Sequence, residues 1–225
     1  MGLNHDSKFD YQKLKKKIKN HKQINRCGYA PGGLSESRLR ELHGSMNSAI
    51  KKMGISFGES VSKVEVAAFL GQLAHESAYL KAKREYCSLP EYGSTCLEDY
   101  QYGSWCPDVK PAPGKYYYGR GFIQLTWNCN YDAAGRGLNR DLLANPDQVE
   151  TSDQVAWETS FWYWTTNGIP TPARNGQFGQ TTKKINGGEC NGGNNGAQQS
   201  RIDKYQAFRK CLGLATESDP NKLWC

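Results

Sequence analysis

The chain has 225 residues, of which 37% are hydrophobic and 12% aromatic, with a formal net charge of +7. That length suffices for a sizeable core in one large or two small domains, and no apolar run is long enough to cross a membrane as a helix. Eight cysteines without any CxxC pair argue against zinc-ribbon and thioredoxin-type chemistry and for disulfides made in an oxidising compartment.

Much of the positive charge lies early, in KLKKKIKNHK between Lys13 and Lys22. Tyr11, Leu14 and Ile18 recur there at helical spacing, and no second basic block accompanies them. The run therefore reads as a solvated helix face, or one attracted to an acidic cell wall, in preference to a nucleic-acid surface. The first residues, MGLNHDSKF, contain no apolar signal segment. The expectation is a secreted protein whose signal has been removed, with residues 1–26 forming a basic extension.

From Leu34 to Lys52, the residues Leu39, Leu42, Met46 and Ile50 are spaced by three and four, which predicts a core helix beside the one that follows. That next helix opens at Ser62. Ser62 can cap its free amides, Glu65 can reach back in the manner of a capping box, and Val61 and Val66 can staple the entry. Val66, Phe69, Leu70, Leu73 and Ala74 then define a buried face. Glu76 falls on the edge of that face near the negative end of the helix dipole, and both circumstances raise a carboxyl pKa, as a general acid requires. Glu85 follows nine residues later. On one unbroken helix the two would sit on opposite faces roughly 13 Å apart. If the helix ends just after His75-Glu76, Glu85 can return to face Glu76 across a cleft, and two such carboxyls are a glycosidase's equipment.

Lys81 to Gly114 holds Cys87, Cys96 and Cys106 among four prolines, a disulfide-pinned loop region of the kind that walls a cleft. In KYYYGRGFIQLTWNCNY, Lys115 to Tyr131, alternation puts Phe122, Gln124 and Thr126 on one side and Ile123, Leu125 and Trp127 on the other, which predicts a short strand or extended segment. Trp157, Phe161 and Trp164 in VAWETSFWYWTTN predict a buried helix.

Three blocks, in order, resemble the family 19 chitinases and their phage endolysin relatives: FLGQLAHESAYLKAKRE, then YYGRGFIQLT followed by Asn130-Tyr131, then TTKKINGGEC. The resemblance runs from about Cys27 to Cys225. It implies a mainly α, lysozyme-like α+β fold, helix-rich and disulfide-stabilised, with a substrate cleft in a single catalytic domain over 27–225. It assigns Glu76 as general acid, Glu85 as base and Thr126 as the hydroxyl that holds the attacking water, accepting from the water and donating to the base. Glu91, in Cys87-Ser-Leu-Pro-Glu91-Tyr-Gly93, fits the plant pattern for the base and stands as the alternative. Gln124, Asn130 and Asn186 would contact sugar, and His75, Trp105, Tyr118 and Arg201 complete the candidate substrate-binding set. Glu189 would support the acid through an Arg201 bridge. The family's cysteine pattern implies Cys27–Cys87, Cys96–Cys106 and Cys190–Cys225, leaving Cys129 with Cys211. Where relatives often carry Gly-Gly after HE[ST], this chain has Ala78-Tyr79. The implied reaction is inverting endo-hydrolysis of β-1,4-linked N-acetylglucosamine polymers, with the carboxyls about 6.5–9.5 Å apart. Chitin or its oligomers would be the only partner, taken up by a monomer with no metal, organic cofactor, nucleic acid or membrane. A peptidoglycan hydrolase and a catalytically silent chitin-binding protein are the alternatives.

Overall fold

The computed structural model describes residues 34–53, 62–94, 96–101 and 106–225. The basic run, Cys27, Val61 and Trp105 lie outside them. The described helices are α1 (Glu36–Lys52), α2 (Lys63–Glu76), α3 (Asn128–Leu138), α4 (Gln148–Thr151), α5 (Asp153–Thr166), α6 (Pro170–Arg174), α7 (Phe178–Asn186), α8 (Asn195–Cys211) and α9 (Pro220–Leu223). The fold is helix-rich; its β structure among the described residues is limited to isolated bridges, Arg84 with Arg120 and Arg120 with Leu125.

α1 begins where Ser35 accepts a hydrogen bond from the Arg38 amide, and Leu39, Leu42, Met46 and Ile50 are buried as their spacing predicts. Its chief partner is α5 and not α2. Trp157 Nε1 donates to the Leu42 carbonyl at 3.1 Å, and Arg38 pairs with Asp153. α5 is buried over most of its circumference. Phe69 of α2 stacks on its Phe161 at 5.4 Å and meets Trp164 edge-on at 5.1 Å.

α2 is the hub. Ser62 caps it by accepting from the Glu65 amide at 3.1 Å. The Glu65 side chain does not reach back. It is fully buried and accepts from Arg174 Nε at 2.7 Å and Trp164 Nε1 at 3.4 Å, because a long-range cation is a stronger partner than a backbone amide. α2 packs most extensively against α8. The approach is close at Gly71, where a Cβ would lie 3.0 Å from the Tyr205 Cα; any side chain there would hold the two helices apart.

Three disulfides join described residues: Cys87–Cys96, Cys106–Cys129 and Cys190–Cys225. The last is the pairing the resemblance implies. The others correct it, since Cys87 bonds Cys96 and not Cys27, and Cys106 takes Cys129. Cys211 is also disulfide-bonded, but Cys129 is not its partner.

Candidate active site

α2 stops at Glu76 because the chain pivots on buried Ser77. Its hydroxyl donates to the Leu73 carbonyl at 2.6 Å and accepts from the Leu80 amide at 3.0 Å, while its carbonyl accepts from the amides of Lys81 and Ala82, each at 2.9 Å. Ala78, Tyr79 and Leu80 all take positive φ, 47°, 64° and 64°, a left-handed turn that costs non-glycine residues energy and persists only where the surroundings enforce it. The chain is thereby turned back. The Glu85 amide then donates to the Gly119 carbonyl at 2.9 Å, and Arg84 bridges Arg120. Glu76 and Glu85 thus line one cleft of about 550 Å³, as an early helix end requires.

Glu76 is 14% exposed, and its Oε1 lies 2.5 Å from Arg201 Nη2. Burial pushes the Glu76 carboxyl above the usual carboxylate range. Arg201 pulls it down, and the charges of Glu189 and Glu85 add to the rise. Arg201 is itself buried, donating from Nε and Nη2 to the two Glu189 oxygens at 2.8 and 2.7 Å and from Nη1 to Gln72 Oε1 at 2.7 Å. Burial opposes ionisation of Glu189, but Arg201 outweighs it and holds that carboxyl below its ordinary range. Arg201 thus spans the Glu76 and Glu189 carboxyls while also lining the cleft. Gln72 is fixed in turn by donating to the hydroxyls of Thr181 and Thr182 at 2.8 and 2.9 Å.

Glu85 has two donors: the Gly119 amide at 2.8 Å to Oε2 and the Tyr100 hydroxyl at 3.0 Å to Oε1. Tyr100 packs on Trp127 with centroids 4.8 Å apart. Burial and then the Glu85 charge push the Tyr100 phenol up to about 12, so it remains a donor at neutral pH. Glu91, on a one-turn 3-10 segment at Pro90–Tyr92, is exposed and does not line the cleft.

The stretch expected to be extended is instead a turn. Phe122, Ile123 and Leu125 are all buried, so the sides do not alternate. Gln124 and Trp127 adopt φ of 52° and 78°, and the Arg120 and Leu125 backbones pair across the turn. This brings Gln124, Thr126, Trp127 and Asn130 to the cleft wall. The Thr126 hydroxyl donates to the Gln124 carbonyl at 2.8 Å, so its single hydrogen is spent there and not on Glu85; its oxygen is left as an acceptor. Asn130 Nδ2 donates to the Thr126 carbonyl at 2.8 Å, and Asn186 Nδ2 to Glu189 at 3.0 Å. His75 also lines the cleft; burial and then Arg201 push its pKa down to about 4, leaving the ring neutral.

With this geometry in view, residues 44–175 match the chitinase class I family, glycoside hydrolase family 19. The chain belongs to that family. An endochitinase of Arabidopsis thaliana is 44% identical over 160 residues, which cover 69% of this chain and 50% of that protein. The chain spans about half the length of the curated relatives it matches first. Among solved structures, a bacterial family 19 chitinase, described as differing from the plant enzymes, superposes with a TM-score of 0.72 at 34% identity, covering 92% of this chain and 98% of that one. Chitinase C from Streptomyces griseus gives 0.69 at 35% identity, with 92% and 79% covered.

Within this family 19 chain, the placement departs from expectation at Tyr118. It is 4% exposed and does not line the cleft. Its ring lies under the Arg120 guanidinium, 3.6 Å from the centroid, and its carbonyl accepts from Tyr131 at 2.9 Å. Arg120, paired with Asp147 and Glu150, so ties the YYGRG signature to the scaffold. Conversely, Tyr100, Trp127, Tyr163 and the Gly119 amide line the cleft without having stood out in the sequence. Gly119 and Trp127, in the same stretch as Gln124 and Thr126, carried a signal that could have found them.

Proposed function

We propose that this chain is a secreted endochitinase that cleaves β-1,4-linked N-acetylglucosamine chains with inversion, the activity residing in residues 27–225. Family membership supports the reaction class. The single observation that carries the residue assignment is one cleft holding a buried carboxyl with a raised pKa and a second carboxylate held by two donors. Glu76 is the general acid, Glu85 the base, and the Thr126 oxygen accepts from the attacking water.

In the step proposed, the water oxygen bonds the anomeric carbon as the glycosidic carbon–oxygen bond breaks. The bond pair leaves with the glycosidic oxygen, which takes the proton of Glu76, while Glu85 takes the proton of the water. Solvent exchange then returns a proton to Glu76 and removes one from Glu85. The Arg201–Glu189 pair orients the acid; Gln124, Asn130, Asn186 and neutral His75 are placed to hydrogen-bond the sugar. The exposure of Glu91 leaves Glu85 as the better base. The disulfides support action outside the cell.

Proton NMR of chitohexaose during digestion tests this reading. Early α-anomer from the wild type, lost in Glu76→Gln and in Glu85→Gln but not in Glu91→Gln, is the expected result. Early β-anomer, or cleavage of peptidoglycan alone, would overturn it.

A further inference from the structure

Tyr86 and Tyr92 are the large hydrophobic side chains left exposed among the described residues, at 54% and 57%. Single exposed apolar side chains are ordinary on a protein surface. These two are in mutual contact, with ring centroids 5.8 Å apart and planes inclined at 47°, on a segment that is unusually well fixed for a loop. Each stands on a one-turn 3-10 segment, Tyr86–Ser88 and Pro90–Tyr92. The Leu89 amide donates to the Tyr86 carbonyl at 2.9 Å and the Tyr92 amide to the Leu89 carbonyl at 3.0 Å. Cys87–Cys96 closes the loop covalently. Buried Ser88 anchors it from beneath, donating to the Glu85 carbonyl at 2.7 Å and accepting from Arg84 Nε at 2.9 Å. A pair of aromatic rings held this way loses little freedom when a ligand docks, which is what makes a preorganised contact effective.

The position of the pair indicates its ligand. Tyr86 directly follows Glu85, whose carboxylate lines the cleft. Aromatic rings accompany Glu85 inside the cleft, through Tyr100 and Trp127, and along the outer loop, through Tyr86 and Tyr92. Tyrosine combines an apolar face with a hydroxyl that wants a wet partner, matching a pyranose ring with its carbon–hydrogen face and hydroxyl rim. The exposed Glu91 beside Tyr92 adds acceptors for the hydroxyl and amide hydrogens of such a sugar.

We propose that Tyr86 and Tyr92 form a stacking platform for a β-1,4-linked N-acetylglucosamine chain running out of the cleft past Glu85, an anchor for polymeric substrate outside the catalytic subsites. The proposal rests on the reading of the cleft as a chitinase site. The test uses the full chain carrying Tyr86→Ala/Tyr92→Ala, with Tyr86→Phe/Tyr92→Phe as the pair that keeps stacking. Hydrolysis of chitotetraose should stay within about twofold of wild type in both, which also certifies folding. Binding to insoluble chitin and the KM for polymer should weaken about five- to tenfold in the alanine pair and stay near wild type in the phenylalanine pair, from the usual strength of an aromatic contact. A wild type that cleaves chitotetraose beside an alanine pair that binds chitin normally overturns the platform and leaves the cleft's reading standing. Equal losses on tetramer and polymer overturn it too, as does a wild-type dimer in sedimentation that the alanine pair dissolves, which would assign the surface to a second copy. A wild type that neither cleaves nor binds chitin defeats both readings.

Discussion

Replacing Tyr100 by Phe removes one of the two donors that fix the Glu85 carboxylate while leaving the ring on Trp127. A hydrogen bond to a charged acceptor contributes about 1.5–3 kcal/mol, and about 1.4 kcal/mol is a factor of ten. The other donor, the Gly119 amide at 2.8 Å, is part of the main chain and survives the change, so the loss belongs at the low end of that range. We expect kcat on chitohexaose to fall about tenfold with KM within about twofold, because the missing bond aims the base and does not bind the sugar. In a Glu85→Gln background the same change should cost almost nothing further, since the carboxylate it steers is gone. A Tyr100→Phe enzyme with wild-type kcat, or one that loses KM alone, would refute the idea that this phenol positions the base.

Three further outcomes follow from the same contacts. Glu189 raises the Glu76 pKa through its charge and also occupies Arg201, so Glu189→Gln should lower that pKa, deprotonate the acid sooner, and move the alkaline limb of kcat/KM to lower pH; an unmoved or raised limb counts against the bridge. Gly119→Ala would put a methyl 2.7 Å from Gln124 Oε1 and 3.2 Å from Glu85 Oε2, and a displacement of that order at the base should reduce kcat about a hundredfold with a thermal midpoint shifted by only a few degrees. Gly71→Val should destabilise by about 1–3 kcal/mol through overpacking between α2 and α8, read as a drop in the urea midpoint at unchanged m.

The helices were legible because burial imposes a spacing on the sequence: Leu39, Leu42, Met46 and Ile50 are buried as their period requires, and so are Val66, Phe69, Leu73 and Ala74, although Leu70 is only partly buried and Ala67, Ala68, Gly71 and Gln72 are buried too, because α2 is enclosed on more than one face. The failures share a different cause. Alternation in Phe122–Trp127 imitates a strand, but both sides of a sharp turn can be buried, and nothing in Gln124 or Trp127 announces a left-handed backbone. Glu65 reads locally as a capping partner, yet it is claimed by Arg174, more than a hundred residues away. Tyr118 stands in the most distinctive motif of the chain and serves the scaffold, whereas Tyr100 stands in an unremarkable loop and donates to Glu85 in the cleft. The cysteine pairing was borrowed from relatives, and spacing could not have corrected it, since eight cysteines admit many connectivities.

The Arg201 bridge also has a bearing on when the protein becomes competent. Glu76 and its counter-ion belong to helices separated by a long span of chain, and the arrangement is completed by Gln72, from Glu76's own helix, and by Glu189, from the segment before α8. A polypeptide emerging from the ribosome presents the acid long before it presents Arg201, and domains settle as their parts arrive. Until α8 docks, Glu76 sits at a helix end without the ion pair that orients it. On the proposed mechanism the chemistry is therefore tied to completion: a partly made or partly unravelled chain has no oriented acid, so chitin cleavage would itself report that α8 is home.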